Sequence, residues 1–524
     1  MTGLGVMLRF TARRERLRIP VYVIVLAALI ASTAAQSEQL YPTAASRADY
    51  VATVEGNPGL IAMVGPAYAV TTVGGDVAWQ WGAFGAVVAG LMSMFIVGRH
   101  TRAEEQSGRS ELVRAGVMSR SAPLTAALVV ACAAQMVMGT AVALVMVGFD
   151  QPAAGSIAFG ASLAGVGVLF AGVAAVAVQI SQGTAGAYGL VGAVLGASYA
   201  LRAAGDVGDG TLSWLSPIGW GEAMRPYADE RWWPLALLLA GTLATVSVAY
   251  ALLARRDDGA GVIAPRPGPA TAAPWLSRPA GLALRLQRGA LLGWTAGLFL
   301  GGLSIGLTAQ DADSFVGDSP EANELFSQAA GSLIDNYLAI SLLSMALIGT
   351  GFAIQAVLRM RSEETAGRLE PLLATALARP RWAAGYVAVA ALGTVVILAA
   401  SGLGAGIADA ANTGDLARLP VLIGSSVAIA PAVWVLIGVA VALFGLAPRA
   451  TPAAWATLAA CYLAAFLGPL LGLPDWVMDL SPFTHVPLLP AASFDAEPLL
   501  ALTGVAAGFV AVGMVGFRRR NVPA

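Results

Sequence analysis

The chain contains no lysine: all thirty residues in its Lys+Arg total are arginine. A phosphate-cradling P-loop ends in G-K-[ST], so the chain has no conventional ATP site of its own. The same absence excludes a Schiff-base lysine and a lysine general base. Histidine and cysteine are nearly as scarce, with two of each. Cys132 and Cys461 lie inside apolar stretches and read as small buried hydrophobes, not as halves of a disulfide. His100 and His485 stand in different loops, so no His/Cys spacing for a metal is present. Charge is sparse too, at 12% of 524 residues, against roughly 25% in an average soluble domain.

Hydrocarbon fills the gap. Hydrophobic residues make up 57% of the chain and the mean hydropathy is +0.73. The apolar residues come in runs of about twenty, long enough to cross a bilayer as helix. Alternating ten-residue segments, the mark of a membrane barrel, do not occur. The expected fold is an all-α polytopic membrane protein with about twelve spans, counted from apolar runs between charged or Pro/Gly-rich breaks. Two regions fit that count least well: 187–204, which carries Arg202, and the broken stretch around Gly468–Pro474. The stretch Ile19–Gln36 follows a basic start, as a signal peptide would, but Leu284–Ser304 repeats that layout in mid-chain. It therefore reads as a retained first span.

Arginine orients the spans. With the N-terminus inside, every arginine except Arg47, Arg202, Arg225, Arg231 and Arg418 falls on inner segments, and both termini are expected to be cytoplasmic. The outer loop before the eighth span instead carries Asp311, Asp313, Asp318, Glu321, Glu324 and Asp335, and reads as a solvated face.

The most informative stretch is "HTRAEEQSGRSELVRAGVMSR", His100–Arg120, which aligns without a gap to "RMRSEETAGRLEPLLATALAR", Arg359–Arg379. Arg102, Glu104, Glu105, Gly108, Arg109, Glu111 and Arg120 fall on Arg361, Glu363, Glu364, Gly367, Arg368, Glu370 and Arg379. "LSPIGW" at Leu215–Trp220 likewise matches "LSPFTH" at Leu480–His485. The chain therefore reads as two parallel six-span halves, 1–254 and 281–524, joined by a Pro/Gly/Ala-rich inner linker at 255–280.

Physically, each inner loop divides in the same way. The glutamate pair caps the emergence of a span, and the glycine permits a turn with positive φ. Glu111 and Glu370 then stand at the start of a short amphipathic helix whose last turn carries Arg120 or Arg379, matched to the helix dipole. An interfacial anchor helix would explain the arginine and leucine. It would not explain two glutamates and a Gly-Arg pair repeated identically, so docking of a soluble partner is the expectation. Being outside the lipid, these residues are expected to tolerate charge reversal with little loss of stability.

A span ending in R-x-E-E, followed by G-[R/T]-x-E-x-L-L and a short helix, resembles the coupling region of ABC-2-type (type V-like) exporter permeases. The whole chain is similar to the long fused actinobacterial permeases of polyketide antibiotics and other drugs. The resemblance implies a permease, not an enzyme, that exports an amphipathic, hydrophobic or lipid-like compound. It implies two cytoplasmic ATPase subunits that bind ATP and Mg, no cofactor in this chain, and no nucleic-acid partner. Carried over residue by residue, the docking contacts are Arg102, Glu104, Glu105, Gly108, Arg109 and Glu111 in the first loop. The second loop supplies Arg361, Glu363, Glu364, Gly367, Arg368 and Glu370. Val113 and Arg114 replace Leu372 and Leu373, which implies two contacts of unequal strength.

Two other readings compete. A proton-driven transporter of the major facilitator kind would share the span count but needs an Asp-Arg pair that "GRHTRAEEQSGRS" lacks. A membrane enzyme on lipid-linked substrates would need convergent acid/base or metal-binding residues, and the outer carboxylates are unpatterned. Gln135, Gln179 and Gln355 are the candidates for a substrate path, with bonding to a neighbouring helix the plainer fate of each.

Overall fold

A computed structural model describes residues 2–521 apart from 42, 56–57, 110–115, 117, 265–267, 312–330 and 468–473. The described residues are helical with no strand. Among the described residues eleven helices are long and apolar enough to cross a membrane, and the chain is a multi-pass membrane protein. It forms two compact units, Met1–Gly268 and Pro269–Ala524.

The first unit opens with α1 (Leu4–Glu15) and the first span α2 (Arg18–Leu40). Short helices α3 (Ala44–Glu55) and α4 (Pro58–Val64) lead to α5 (Val73–His100) and the one-turn α6 (Arg102–Gln106). Spans α7 (Ala122–Gly148), α8 (Ala153–Ile180) and α9 (Thr184–Val207) follow. The short α10 (Pro217–Glu222) then precedes the last span, α11 (Pro234–Arg255). Span α8 is the axle: it packs on α5, α7 and α11, and most of its length is buried.

The second unit repeats this order. Its spans are α12 (Pro279–Thr308), α13 (Leu333–Thr365), α15 (Arg379–Thr413) and the broken pair α16 (Arg418–Ala428) and α17 (Ala430–Leu446). The one-turn α14 (Leu369–Leu373) sits between α13 and α15. Helix α18 (Ala454–Leu467) runs up to the undescribed stretch, and α19 (Ala496–Arg519) closes the unit. Pro431 cannot donate to the ladder, and the helix breaks just before it at Ile429. Here α17 is the axle, packed on α13 and α19 as α8 is on α5 and α11.

Small residues let these helices meet at backbone distance. A Cβ on Gly160 would lie 2.1 Å from the Gly139 carbonyl oxygen, and one on Gly445 would lie 1.9 Å from that of Gly513. In lipid, where apolar surface gains little from leaving its solvent, such close backbone packing is a main source of helix association. The doubtful span at 187–204 is a full helix, because its Arg202 is buried against internal partners.

Candidate functional site

The two charged loops share a glycine turn, although α5 breaks at Thr101 before α6 whereas α13 runs unbroken through its glutamate pair. Gly108 and Gly367 both adopt positive φ, at 72° and 68°, which only glycine tolerates without strain. A polar cluster forms around the glutamate pair in each unit, and most of its members face inward.

Glu105 lies between two arginines. Arg102 Nη1 donates to it at 2.8 Å, and Arg256 contributes two bonds, at 2.6 and 3.0 Å. Arg256 is the first residue beyond α11, and its Nε also donates to Gln179 Oε1 at 2.6 Å. In the second unit Glu364 accepts from Arg361 at 3.2 Å and from Arg520 at 2.5 and 2.9 Å. Arg520 is the first residue beyond α19, the last span of its unit. Arg120 and Arg379 complete the correspondence. Arg120 donates to the Arg256 carbonyl and Arg379 donates to the Arg520 carbonyl, the latter at 2.9 Å. Each unit thus clamps its charged loop to the C-terminal end of its last span. The clamp's guanidinium groups satisfy a helix C-terminus where free carbonyls and the macrodipole favour cations.

The other glutamate of each pair is joined to arginines that reach the surface. Glu104 meets Arg14 at 2.5 Å and Arg109 at 3.6 Å. Glu363 meets Arg359 at 2.8 Å and Arg368 at 2.7 Å. Arg109 and Arg368 are the exposed ends of these pairs, with side chains 63% and 57% accessible. Glu370 is exposed as well, while Glu111 lies outside the described residues.

Several sequence expectations change here. The short helix after the second glycine covers only Leu369–Leu373, so Arg379 is not at its end; Arg379 starts α15 instead. Its dipole partner is α19, far away in sequence. Stability should respond to the glutamate pairs, since Glu364 is 1% accessible and anchors Arg520. Within the expected linker at 255–280, Val262 and Ile263 donate backbone bonds to the Gln179 and Ile180 carbonyls.

The three glutamines diverge. Gln135 Nε2 donates to the Ala89 carbonyl and to Ser93, fastening α7 to α5. Gln179 belongs to the clamp. Gln355 accepts from Trp294 Nε1 at 3.1 Å on an exposed face of α13.

Sequence reasoning missed Arg256 and Arg520. A signal existed: each follows the last apolar run of its half, 151 residues after Glu105 and 156 after Glu364. It also missed Glu15, a fully buried carboxylate at the end of α1. Arg99 and His100 reach it at 2.6 and 2.7 Å. Burial alone would raise the Glu15 carboxyl, but the hydrogen bonds and charges of His100 and Arg99 outweigh it and hold it at about 2. This latch ties α1 to the end of α5. Beside it, a cleft is lined by Met7, Phe10, Glu104, Arg109 and Arg256.

A family model described as the C-terminal domain of the multidrug efflux system permease Rv1217c matches residues 276–518. The multidrug efflux system permease protein Rv1217c of Mycobacterium tuberculosis is 41% identical over 99% of this chain and 95% of its own. The chain belongs to this family. It is a transport permease, and the family does not favour the proton-driven or enzymatic readings.

Proposed function

We propose that this permease is the membrane subunit of an ATP-driven exporter, and that two soluble ATPase subunits dock on the exposed tips of its paired inner loops. The tips are Gly108–Arg109 and Gly367–Arg368 with Glu370, while the inward glutamates Glu105 and Glu364 transmit their position to the last spans. What supports this is the duplicated clamp. In each unit an exposed Gly-Arg turn stands next to a loop fastened to the inner end of the sixth span, so force on the turn has a rigid path into the membrane. ATP and Mg belong to the partners, since the chain has no lysine for a P-loop. Both termini and both loops lie on the cytoplasmic side by the distribution of arginine. The exported compound is amphipathic or hydrophobic, in line with the multidrug name of the 41% identical relative.

The test is co-purification. Arg109→Glu combined with Glu370→Arg, both at exposed positions, should abolish capture of the ATPase by tagged permease while leaving its yield and thermal midpoint unchanged. Exposed ion pairs contribute about 0–1 kcal/mol to stability, so the fold should hold. Undiminished capture by the double variant would refute docking at the turns.

A further inference from the structure

The first unit holds a second polar feature at the ends of its helices opposite the charged loop. A cleft is walled by Trp79, Tyr68, Phe159 and Leu163, with Glu222 at one side. The wall is firmly set: Trp79 Nε1 donates to the Gly65 carbonyl at 2.7 Å. Gly65 has φ +116, and a Cβ there would stand 3.2 Å from Glu222 Oε1, so the chain comes as close to the carboxylate as glycine allows.

Glu222 is poorly matched within the protein. Both its oxygens are buried and accept no hydrogen bond. The nearest cation is Arg202, whose Nε lies 3.5 Å from Glu222 Oε1. That guanidinium is already shared: it lies 3.5 Å from Asp206, donates to the Met63 carbonyl at 3.1 Å and stacks on Tyr199 at 4.5 Å. One arginine thus faces two carboxylates. Burial pushes the Glu222 carboxyl well above the usual carboxylate range, and neighbouring Asp206 adds to this against the pull of Arg202. A cation seated in the cleft would supply the counter-charge that returns it to carboxylate. The aromatic wall suits one, since ring faces attract cations most strongly where water is excluded. The protein itself shows this at the margin, where Arg225 rests over Tyr68 at 4.4 Å.

We propose that this cleft binds hydrophobic cations, with Glu222 as counter-ion and Trp79, Tyr68 and Phe159 as the apolar and π-rich wall. The inference rests on the exporter reading in that it names a class of transported compound. Its test does not need the ATPase.

Equilibrium dialysis of detergent-purified full-length permease against radiolabelled tetraphenylphosphonium, with neutral triphenylphosphine oxide in parallel, decides it. Glu222→Gln keeps the shape and removes the charge. It should weaken tetraphenylphosphonium by about tenfold or more, as loss of a desolvated charge contact does, and leave the neutral probe unchanged. Gly82 lines the cleft, and nothing lies within 4 Å of a Cβ built there. Gly82→Leu should therefore fill the space without a clash and remove binding of both probes, with Glu222 intact. Equal tetraphenylphosphonium binding by wild type and both variants would overturn the proposal. So would a Glu222→Gln loss that is the same for the neutral probe. Either result leaves ATPase capture by the loops standing, and failure of capture leaves this binding result standing.

Discussion

Arg256 and Arg520 show how one side chain can change the meaning of a motif. The repeated glutamate pairs look from sequence like a surface offered to a partner, yet Glu105 and Glu364 point inward at these arginines. A glutamate that holds a mostly buried guanidinium cannot be removed freely, because the cation left behind has lost its partner. Glu364→Gln should destabilise the permease by about 1–3 kcal/mol, whereas Glu370→Gln, at an exposed position, should change little. Thermal unfolding in detergent checks both. Combining Glu364→Gln with Arg520→Gln should cost less than the sum of the single changes, since the pair is one interaction. Full additivity would show that the two residues do not depend on each other.

At the scale of elements, α1 behaves as a latch that the second unit does not reproduce in the same form. It packs Met7 against Ala122 and Ala126 and places Glu15 under Arg99 and His100. The Glu15 carboxyl titrates at about 2 in the folded chain against 4.5 when free. Between those values the unfolded chain binds more protons, so stability from this group is complete above about pH 4.5 and is lost as pH falls toward 2. Glu15→Gln should accordingly be less stable than wild type at pH 6 and lose less on acidification to pH 3. Thermal midpoints of the two proteins across that range measure it. Parallel curves at every pH would show that Glu15 is not the latch's titrating group. The clamps differ between units as well. Arg102 reaches the Val178 and Ala260 carbonyls, whereas Arg520 stacks on Phe444 and Phe517 at 4.9 and 5.1 Å.

At the scale of the whole molecule, the duplicated clamp argues for stoichiometry. One chain carries two loops, each fastened to the last span of its own unit, so a second copy would add loops without need. The expected complex has one permease and two ATPase subunits. Native mass spectrometry of the detergent-purified assembly reports this directly, and a mass fitting two permeases would refute it. Where the loops differ, at Val113/Leu372 and Arg114/Leu373, the contacts should differ in strength and the weaker ATPase should leave first on dilution.

The sequence by itself determined the membrane class, the helical fold, the duplication and the two glycine turns. These follow from local chemistry: the length of apolar runs, the need to satisfy every backbone amide in lipid, and the one residue type that tolerates positive φ. Only the tertiary structure decided which charges reach the surface and which face the protein. Glu104 and Glu105 are neighbours of the same type, and nothing in their spacing separates the one paired with Arg14 and the exposed Arg109 from the one locked to Arg256. That choice is made by α11, which returns some 150 residues later and ends with its carbonyls and its arginine beside Glu105. Glu222 was equally unreadable, an unpatterned outer carboxylate until α10 brought it against Arg202 and the aromatic cleft. Such placements depend on contacts between distant segments, and a helix-length window of sequence carries no record of them.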